Sequence, residues 1–179
     1  MKTNKFPLLK SSRLILRKTT AIDIDQTYFL RSDAGVNKFI ERSEESKTKS
    51  LADAASFIQK ITQEYDQNKS ISWSICMSES SEMIGSICLW NYSDDMKKAE
   101  LGYSLHPSFQ GKGIMSEALQ MVVNCGFEYL NFKLIEAYTH CENINSKGLL
   151  LKNGFVLNVD KKDAEDPNNE VFDLVKQLR

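Results

Sequence analysis

The chain has 179 residues and a formal net charge of −1, with 41% apolar and 26% charged residues. This length suits one domain, residues 1–179, with a sizeable core. The basic residues are scattered, which excludes the charge pattern of a nucleic-acid-binding or membrane-surface protein, and no apolar run reaches transmembrane length. The cysteines lie apart in apolar segments, at Cys76, Cys88, Cys125 and Cys141. We therefore expect free thiols in a cytoplasmic protein and no metal site.

The first third of the chain predicts one strand and two helices. Residues 13–17 form a short apolar strand with charged flanks, and capping residues at 20–23 precede a helix that ends near Arg31. The polar run 41–50 is interpreted as a solvated loop. From Ser50 onward, apolar residues recur at helical spacing and predict a second, amphipathic helix.

The rest of the chain predicts a sheet with one helical crossover. Short turns join three strands that should be antiparallel, at residues 70–77, 83–92 and 100–106. After a helix, a strand at 133–140 should run parallel to the strand at 100–106, because the helix carries the chain back across the sheet. A short helix then ends at Gly154, and a hairpin closes the sheet. These last elements lie at residues 146–153, 155–159 and 171–176.

A glycine-containing stretch joins the strand at 100–106 to the crossover helix. Gly111 and Gly113 lie where the helical pattern begins. A helix N-terminus presents unpaired N–H groups and a partial positive charge, and glycine lets an anion approach the backbone closely. A Walker loop is excluded because His106 replaces its first glycine, and a dinucleotide fingerprint because Ser116 replaces its third. We interpret the stretch as a pyrophosphate site; an ordinary strand-to-helix turn is the alternative.

This stretch also resembles a family signature. The segment Gln110-Gly111-Lys112-Gly113-Ile114-Met115 resembles the Gln/Arg-x-x-Gly-x-Gly/Ala signature of the GNAT N-acyltransferases, which binds the pyrophosphate of acetyl-CoA. Met115 departs from the signature, but a methionine whose side chain turns into the core would leave its backbone N–H available. The resemblance implies cofactor contacts at seven consecutive residues: Gln110, Gly111, Lys112, Gly113, Ile114, Met115 and Ser116.

The order of the predicted elements supports the same resemblance. The series β-α-α-β-β-β-α-β-α-β-β is that of the GNAT fold. It implies an α/β protein whose mixed, mostly antiparallel sheet has a central splayed parallel strand pair flanked by helices. Residues 13–17 and 142–155 further resemble the RimJ/RimL-like branch, which acetylates the N-termini of ribosomal proteins, and its many relatives that act on small amines. The resemblance implies an N-acetyltransferase that uses acetyl-CoA as its cosubstrate and needs no metal.

Two polar residues near the short last helix are candidate site residues. The resemblance implies that Asn143 binds the pantetheine arm of CoA, and an amide can both donate to and accept from the amides of that arm. It also implies that Ser146 protonates the departing thiolate, since the tyrosine that many relatives carry further along this helix is absent. Both residues are also common helix caps, and the sequence leaves both alternatives open.

The strand before the glycines carries the other candidates. Alternation places Glu100 on the face opposite Leu101 and Tyr103, where it could accept a proton from the attacking amine. A solvated strand carboxylate is the alternative. Glu136 on the neighbouring strand is a weaker candidate, interpreted as a structural ion-pair partner. The resemblance places the oxyanion donor, a backbone N–H, near a bulge in the vicinity of Leu105.

The predicted reaction is direct attack of a primary amine on acetyl-CoA, without a covalent enzyme intermediate. N-terminal peptides, aminoglycosides, polyamines and amino acids all remain possible acceptors. A non-catalytic acyl-CoA-binding or sensing module is the alternative function, since the usual tyrosine is missing. His106 and His140 each end a strand, and we interpret them as hydrogen-bonded residues because no nearby carboxylate or cysteine spacing suggests a metal site. We expect a monomer or a homodimer.

Overall fold

One mixed sheet runs through the protein, as described by a computed structural model for residues 5–177. Its strands lie in the spatial order β1-β2-β3-β4-β5-β6-β8-β7. Among the described strands only β5 and β6 are parallel neighbours, so the predicted α/β fold with a mostly antiparallel sheet is confirmed. The strands are β1 Leu9–Lys10, β2 Leu14–Lys18, β3 Ile71–Met77, β4 Met83–Trp90, β5 Lys98–Leu105, β6 Leu134–His140, β7 Val156–Leu157 and β8 Asn169–Val175.

The α-helices cover both faces of this sheet. They are α1 Ile24–Ser32, α2 Leu51–Asp66, α3 Ile114–Glu128 and α4 Ile144–Lys152. Ser50 caps α2 by accepting a hydrogen bond from the N–H of Asp53 at 3.2 Å, which explains why the amphipathic pattern begins there. No helix within residues 5–177 combines the length and the apolar character needed to cross a membrane.

The two faces of the sheet differ in chemistry. One face is apolar and packs against α3, where Gly126 allows Leu89 and Ile135 to approach the helix closely. The other face carries small and polar side chains and faces α1, whose Thr27 hydroxyl contacts the Met83 sulfur. Ser74 is fully buried on this second face and bonds to Thr19 at 2.9 Å. The apolar face therefore supplies the core, and the polar face is available for chemistry.

The parallel pair opens towards its C-terminal end. β5 and β6 pair only from Lys98 opposite Leu134 to Glu100 opposite Glu136. Beyond this point β5 continues to Leu105 and stays paired with β4, whereas β6 continues to His140 and stays paired with β8. The sheet thus contains a V-shaped gap with Glu100 at its apex, which matches the predicted splayed pair.

Some details differ from the sequence predictions. β1 was not predicted, because two residues are too short to show a period. The last helix begins at Ile144, so Ser146 lies inside its first turn. The alternative that Ser146 is the N-cap of this helix is therefore wrong. The loop at 41–50 is mostly exposed, but Thr48 is buried and receives a hydrogen bond from Arg31 at 2.8 Å. The loop therefore folds back onto α1 through polar contacts that hydrophobic periodicity does not report.

Candidate active site

Glu100 lies at the apex of the gap, on the polar face of the sheet. It is half-buried, and its Oε2 accepts a hydrogen bond from Asn91 Nδ2 at 3.2 Å. Burial raises the pKa of Glu100 to about 7, against the opposing effect of the Asn91 bond and with help from the nearby carboxylates of Asp163, Glu136 and Glu165. A carboxyl group with this pKa is suited to accept a proton near neutral pH.

Glu136, the parallel neighbour of Glu100, has a different environment. Its carboxylate pairs with Lys98 at 3.1 Å and with Lys161. Burial alone would raise the pKa of Glu136, but the hydrogen bonds from Lys161 and Lys98 outweigh it and lower the pKa below its ordinary value. The carboxylate is therefore held ionised in an ion-pair network, as the sequence analysis proposed for this residue.

Tyr103, which the sequence analysis placed on the apolar face, contacts Ser146 through its hydroxyl. The hydroxyl of Tyr103 lies 2.7 Å from Ser146 Oγ, so strand β5 and helix α4 are joined by a hydrogen bond across the gap. Burial raises the pKa of Tyr103 to about 12, with the bond to Ser146 acting in the opposite direction, so the phenol keeps its proton at neutral pH. Alternation predicts the face of Tyr103 but cannot show which partner its hydroxyl finds there.

Asn143 caps helix α4. Its Oδ1 accepts a hydrogen bond from the N–H of Ser146 at 3.1 Å. Its Nδ2 has no hydrogen-bond partner within residues 5–177, so the amide retains a donor at the edge of the gap. Capping and ligand binding, which the sequence analysis treated as alternatives, are thus compatible in this residue.

The glycine stretch forms the N-terminus of α3. Gly111 and Gly113 have φ values of 71° and 74°, a left-handed conformation that side chains disfavour. The first helical hydrogen bond runs from the N–H of Glu117 to the carbonyl of Gly113 at 3.1 Å. The preceding N–H groups of Ile114, Met115 and Ser116 therefore have no partner within the helix. This is the geometry that binds phosphate.

The side chain of Met115 explains the departure from the family signature. Met115 is 8% exposed and belongs to the hydrophobic core, as does Ile114. Because the side chain turns inwards, it does not cover the N–H groups at the helix N-terminus. The bulk of methionine at this position is thus compatible with an anion site.

Polar contacts hold the glycine stretch in place. Gln110 Nε2 donates to the carbonyl of Leu105 at 3.1 Å, and Lys112 Nζ donates to the carbonyl of Ser108 at 2.9 Å. Arg13, which the sequence analysis did not select, donates to the carbonyl of Lys112 at 3.2 Å and to Glu117 at 2.7 Å. The stretch therefore has a second cation beside it, which reaches it from a distant part of the sequence.

The backbone N–H of Leu105 lies on the edge of β5 that borders the gap. Backbone polar groups of a strand alternate between its two edges, and the N–H of His106 donates to the carbonyl of Ile84 on β4 at 2.8 Å. The N–H of Leu105 consequently points to the other edge. The expected bulge in this strand is absent among the described pairs: β4 and β5 pair in unbroken register, and the irregularity lies between Ile75 and Cys76 of β3.

Asn153 joins the two helices that border the gap on the apolar side of the sheet. Its Oδ1 accepts hydrogen bonds from Ser116 Oγ at 3.0 Å and from Gln120 Nε2 at 3.2 Å, both on α3. Its Nδ2 donates to the carbonyl of Leu149 on α4 at 2.7 Å. The hydroxyl of Ser116 is therefore engaged between helices, and only its backbone N–H remains available to an anion at the α3 N-terminus.

Helix α1 and the segment that follows it cover the wide end of the gap. Phe29 stacks on His106, with ring centroids 4.6 Å apart, and Phe39 stacks on His140 at 5.3 Å. Trp90, the cross-strand neighbour of Glu100, is 44% exposed on the polar face. Within residues 5–177 no group of three His, Cys, Asp or Glu side chains could hold a metal ion. Besides stacking, each histidine accepts a backbone hydrogen bond at Nδ1, His106 from Ser108 and His140 from Glu142, both at 3.2 Å, as the sequence analysis interpreted them.

Comparison with known proteins agrees with this architecture. Residues 13–156 match the acetyltransferase (GNAT) domain family. The uncharacterized N-acetyltransferase YoaA of Bacillus subtilis (strain 168) is 33% identical over 152 residues, which cover 84% of this chain and 83% of that protein. The ribosomal-protein-serine acetyltransferase of Escherichia coli (strain K12) is 33% identical over 93 residues, or 52% of each chain. In fold, the chain resembles the ribosomal L7/L12 α-N-protein acetyltransferase RimL in complex with coenzyme A, with a TM-score of 0.81 and 19% identity. The match covers 94% of this chain and 98% of that one.

The mixed sheet opens beside a helix N-terminus and carries a carboxyl group of raised pKa at the apex of the gap. The chain belongs to the GNAT acetyltransferase family. The predicted family and enzyme class are confirmed, as is the likeness to the RimJ/RimL-like branch.

Proposed function

We propose that this enzyme transfers the acetyl group of acetyl-CoA directly to a primary amine. The observation that carries the proposal is the placement of proton-transfer groups on both sides of one gap. Glu100 faces the polar side of the sheet, and the Tyr103–Ser146 pair lies on the apolar side. Residues 100 and 103 necessarily face opposite ways, because side chains alternate along a strand. An amine can therefore enter from one side while the thiolate leaves towards the other.

The α3 N-terminus and the gap supply the cosubstrate site in this proposal. The N–H groups of Gly113 to Ser116 bind the pyrophosphate, with Gln110, Gly111 and Lys112 shaping the turn before them. Asn143 Nδ2 and the gap edge of β5 at Leu105 bind the pantetheine arm and the thioester carbonyl. The RimL structure with coenzyme A, which shares this fold, supports the choice of cosubstrate.

The chemistry needs two proton transfers. Glu100, directly or through water, accepts the proton that the amine loses as it attacks the carbonyl carbon. The tetrahedral intermediate then expels the thiolate, and the Ser146 hydroxyl protonates it. The Tyr103 hydroxyl returns a proton to Ser146 Oγ and is itself reprotonated from water. Tyr103 thus takes the place of the tyrosine missing from α4. The carboxylates of Asp163 and Glu165 near Glu100 favour an acceptor that arrives as an ammonium ion, which releases one proton to water before the neutral amine attacks.

The acceptor is a protein N-terminus or a small-molecule amine. The E. coli relative supports the N-terminal class, since its name describes a ribosomal-protein-serine acetyltransferase. Thiol release from acetyl-CoA, followed with a colorimetric thiol reagent across a panel of peptides, aminoglycosides, polyamines and amino acids, tests the proposal. We expect amine-dependent release and an acetylated product by mass spectrometry. Tight binding of acetyl-CoA without transfer to any amine would instead support an acyl-CoA-binding module.

A further inference from the structure

Two arginines near the polar face lack the carboxylate partners that the other described arginines have. Arg13 pairs with Glu117 at 2.5 Å, and Arg17 pairs with Asp23 at 2.7 Å. Within residues 5–177, Arg31 and Arg42 form no ion pair, although both are half-buried. A partly buried cation without a counter-ion is unfavourable, so these two side chains require a physical explanation.

The position of Arg31 is well determined by its contacts. Its Nε donates to Thr48 Oγ1 at 2.8 Å, its Nη2 donates to the carbonyl of Ser46 at 2.9 Å, and its guanidinium lies 3.6 Å from the ring centroid of Phe57. Its Nη1 has no hydrogen-bond partner in the described part of the chain. The guanidinium plane is thus fixed on one edge and retains donors on the other.

Arg42 is held beside Arg31 by an asparagine. Its Nη1 donates to Asn37 Oδ1, and Asn37 Nδ2 donates in turn to the carbonyls of Leu30 and Asp33 at 3.0 and 2.7 Å. These carbonyls belong to the C-terminal end of α1, where Arg31 also lies. Burial and the proximity of Arg42 lower the pKa of Arg31 to about 10, which leaves both arginines charged at neutral pH.

The acidic residues of the same segment do not neutralise this pair. Glu44 is engaged with Lys47 and Lys49, and Asp33 accepts a hydrogen bond from the N–H of Val36 at 2.8 Å. Glu41 and Glu45 are exposed to solvent and form no ion pair within residues 5–177. The positive charges of Arg31 and Arg42 are therefore not compensated by these acidic residues.

Arg31 lies on the side of α1 that faces the sheet. Thr27, one helical turn earlier on the same side of α1, contacts Met83 of β4. Strands β4 and β5 pair in unbroken register from Trp90 opposite Glu100 to Gly85 opposite Leu105. A molecule whose amine is at Glu100 would thus extend along the β4–β5 surface towards Arg31.

We infer that Arg31 and Arg42 bind an anionic group, a carboxylate or a phosphate, on the amine acceptor. The inference rests on the proposed function and specifies its substrate class as a zwitterionic acceptor, with an ammonium near Glu100 and an anion near the arginines. A guanidinium fork matches carboxylate and phosphate oxygens in a bidentate geometry, and the fixed plane of Arg31 reduces the entropy lost on binding.

A purely structural role for Arg31 predicts a different result. Its bonds to Ser46 and Thr48 anchor the loop to α1, and its removal could loosen the fold without affecting acceptor choice. The discriminating quantity is therefore the change in preference between two acceptors that differ only in an anionic group. A loss of stability would reduce the turnover of both acceptors together, whereas the loss of an anion site would reduce mainly that of the charged one.

The experiment compares matched acceptors with wild-type enzyme and with Arg31→Gln and Arg42→Gln. The pairs are Ser-Asp amide with Ser-Asn amide, alanine with alaninamide, and O-phosphoethanolamine with ethanolamine, which separate side-chain carboxylate, α-carboxylate and phosphate. For at least one pair we expect wild-type enzyme to prefer the anionic member. Each variant should raise KM for that member by about tenfold or more, the effect of losing a charged hydrogen bond, with a much smaller change for its neutral partner.

Two controls keep the test independent of folding and of bulk charge. Lys38→Gln removes one positive charge from an exposed position in the same segment and should leave the acceptor preference unchanged. Arg31→Lys keeps the charge but not the fork, so it should recover part of the preference. If Arg31→Gln does not fold, as judged by its thermal transition, Arg31→Lys and Arg42→Gln carry the comparison.

The inference is overturned if wild-type enzyme shows no preference in any pair, or if the variants reduce both members of a pair equally. Transfer to neutral amines in the same assays would leave the proposed function standing in either case. If no amine of any kind is acetylated, the proposed function is wrong, and the inference, which rests on it, is wrong as well.

Discussion

Replacing Glu100 with glutamine should slow the enzyme and at the same time stabilise its fold. The variant keeps the shape of the side chain but removes the base, so kcat/KM near neutral pH should fall by roughly 10²-fold or more. Because the pKa of Glu100 is about 7, wild-type kcat/KM should itself fall about tenfold for each pH unit below 7. The deficit of the variant should therefore be largest above pH 7. The difference in kcat/KM between wild type and variant should become smaller at acidic pH, where Glu100 is protonated. It should also become smaller at high pH, where the amine loses its own proton.

The stability effect follows from the same pKa. A rise from the ordinary value of 4.5 to about 7 means that folding favours the protonated carboxyl. This contribution to stability is fully present below pH 4.5 and is lost as the pH rises through 7, which corresponds to about 3 kcal/mol before solvent screening. Because the side chain is only half-buried, we expect Glu100→Gln to raise the free energy of unfolding by about 1–2 kcal/mol at pH 8. At pH 4 the difference should vanish.

Glu136→Gln provides the matched control on the neighbouring strand. Its carboxylate has a lowered pKa because of Lys161 and Lys98, so its removal should destabilise the fold at pH 8, with a smaller effect in acid. Urea unfolding of both variants at pH 4 and pH 8, together with pH–rate profiles at saturating acetyl-CoA, makes the comparison. A Glu100→Gln profile parallel to that of wild type, or an unfolding free energy unchanged at pH 8, would refute the assignment of a desolvated base.

Three further outcomes test the rest of the site. Gly113→Asp should weaken acetyl-CoA binding by about a hundredfold or more, whereas Gly113→Ala, which adds the same left-handed strain without the charge, should weaken it by about tenfold or less in calorimetric titration. Lys112→Ala should weaken binding less than Gly113→Asp, since its ammonium is a flexible point charge drawn towards a carbonyl; equal losses would contradict this view. Ser146→Ala and Tyr103→Phe should each lower kcat by about 10²-fold with acetyl-CoA affinity nearly unchanged; unchanged single-turnover rates would reduce the pair to a packing contact.

The sequence predicts most of the fold because its periodicities are regular. Alternation in the strand of Glu100 correctly separates its face from that of Leu101, and the spacing from Met115 to Gly126 predicts α3. The two glycines of the stretch at 110–116 have the left-handed φ values that such a turn requires. These features depend on neighbouring residues in the chain, which is why local patterns report them.

The parts that the sequence did not predict depend on contacts between distant segments. The Tyr103–Ser146 bond joins residues 43 positions apart, and the Arg13 contact with Lys112 joins residues 99 positions apart. Arg31 and Arg42 occur in segments that resemble ordinary solvated surface, and only the folding of the loop onto α1 brings them together. The pKa of Glu100 likewise arises from burial, which no local pattern specifies.

The opening between β5 and β6 has a consequence for how the free protein behaves. Sheet edges normally lie at the periphery, where their unpaired N–H and C=O groups meet water. Here two such edges lie in the middle of an eight-stranded sheet, at residues 101–105 and 137–140. The amides of the central strand that border the opening should therefore exchange with solvent as quickly as those of a peripheral strand. A ligand that bonds to these edges should therefore slow the exchange of amides in the centre of the sheet.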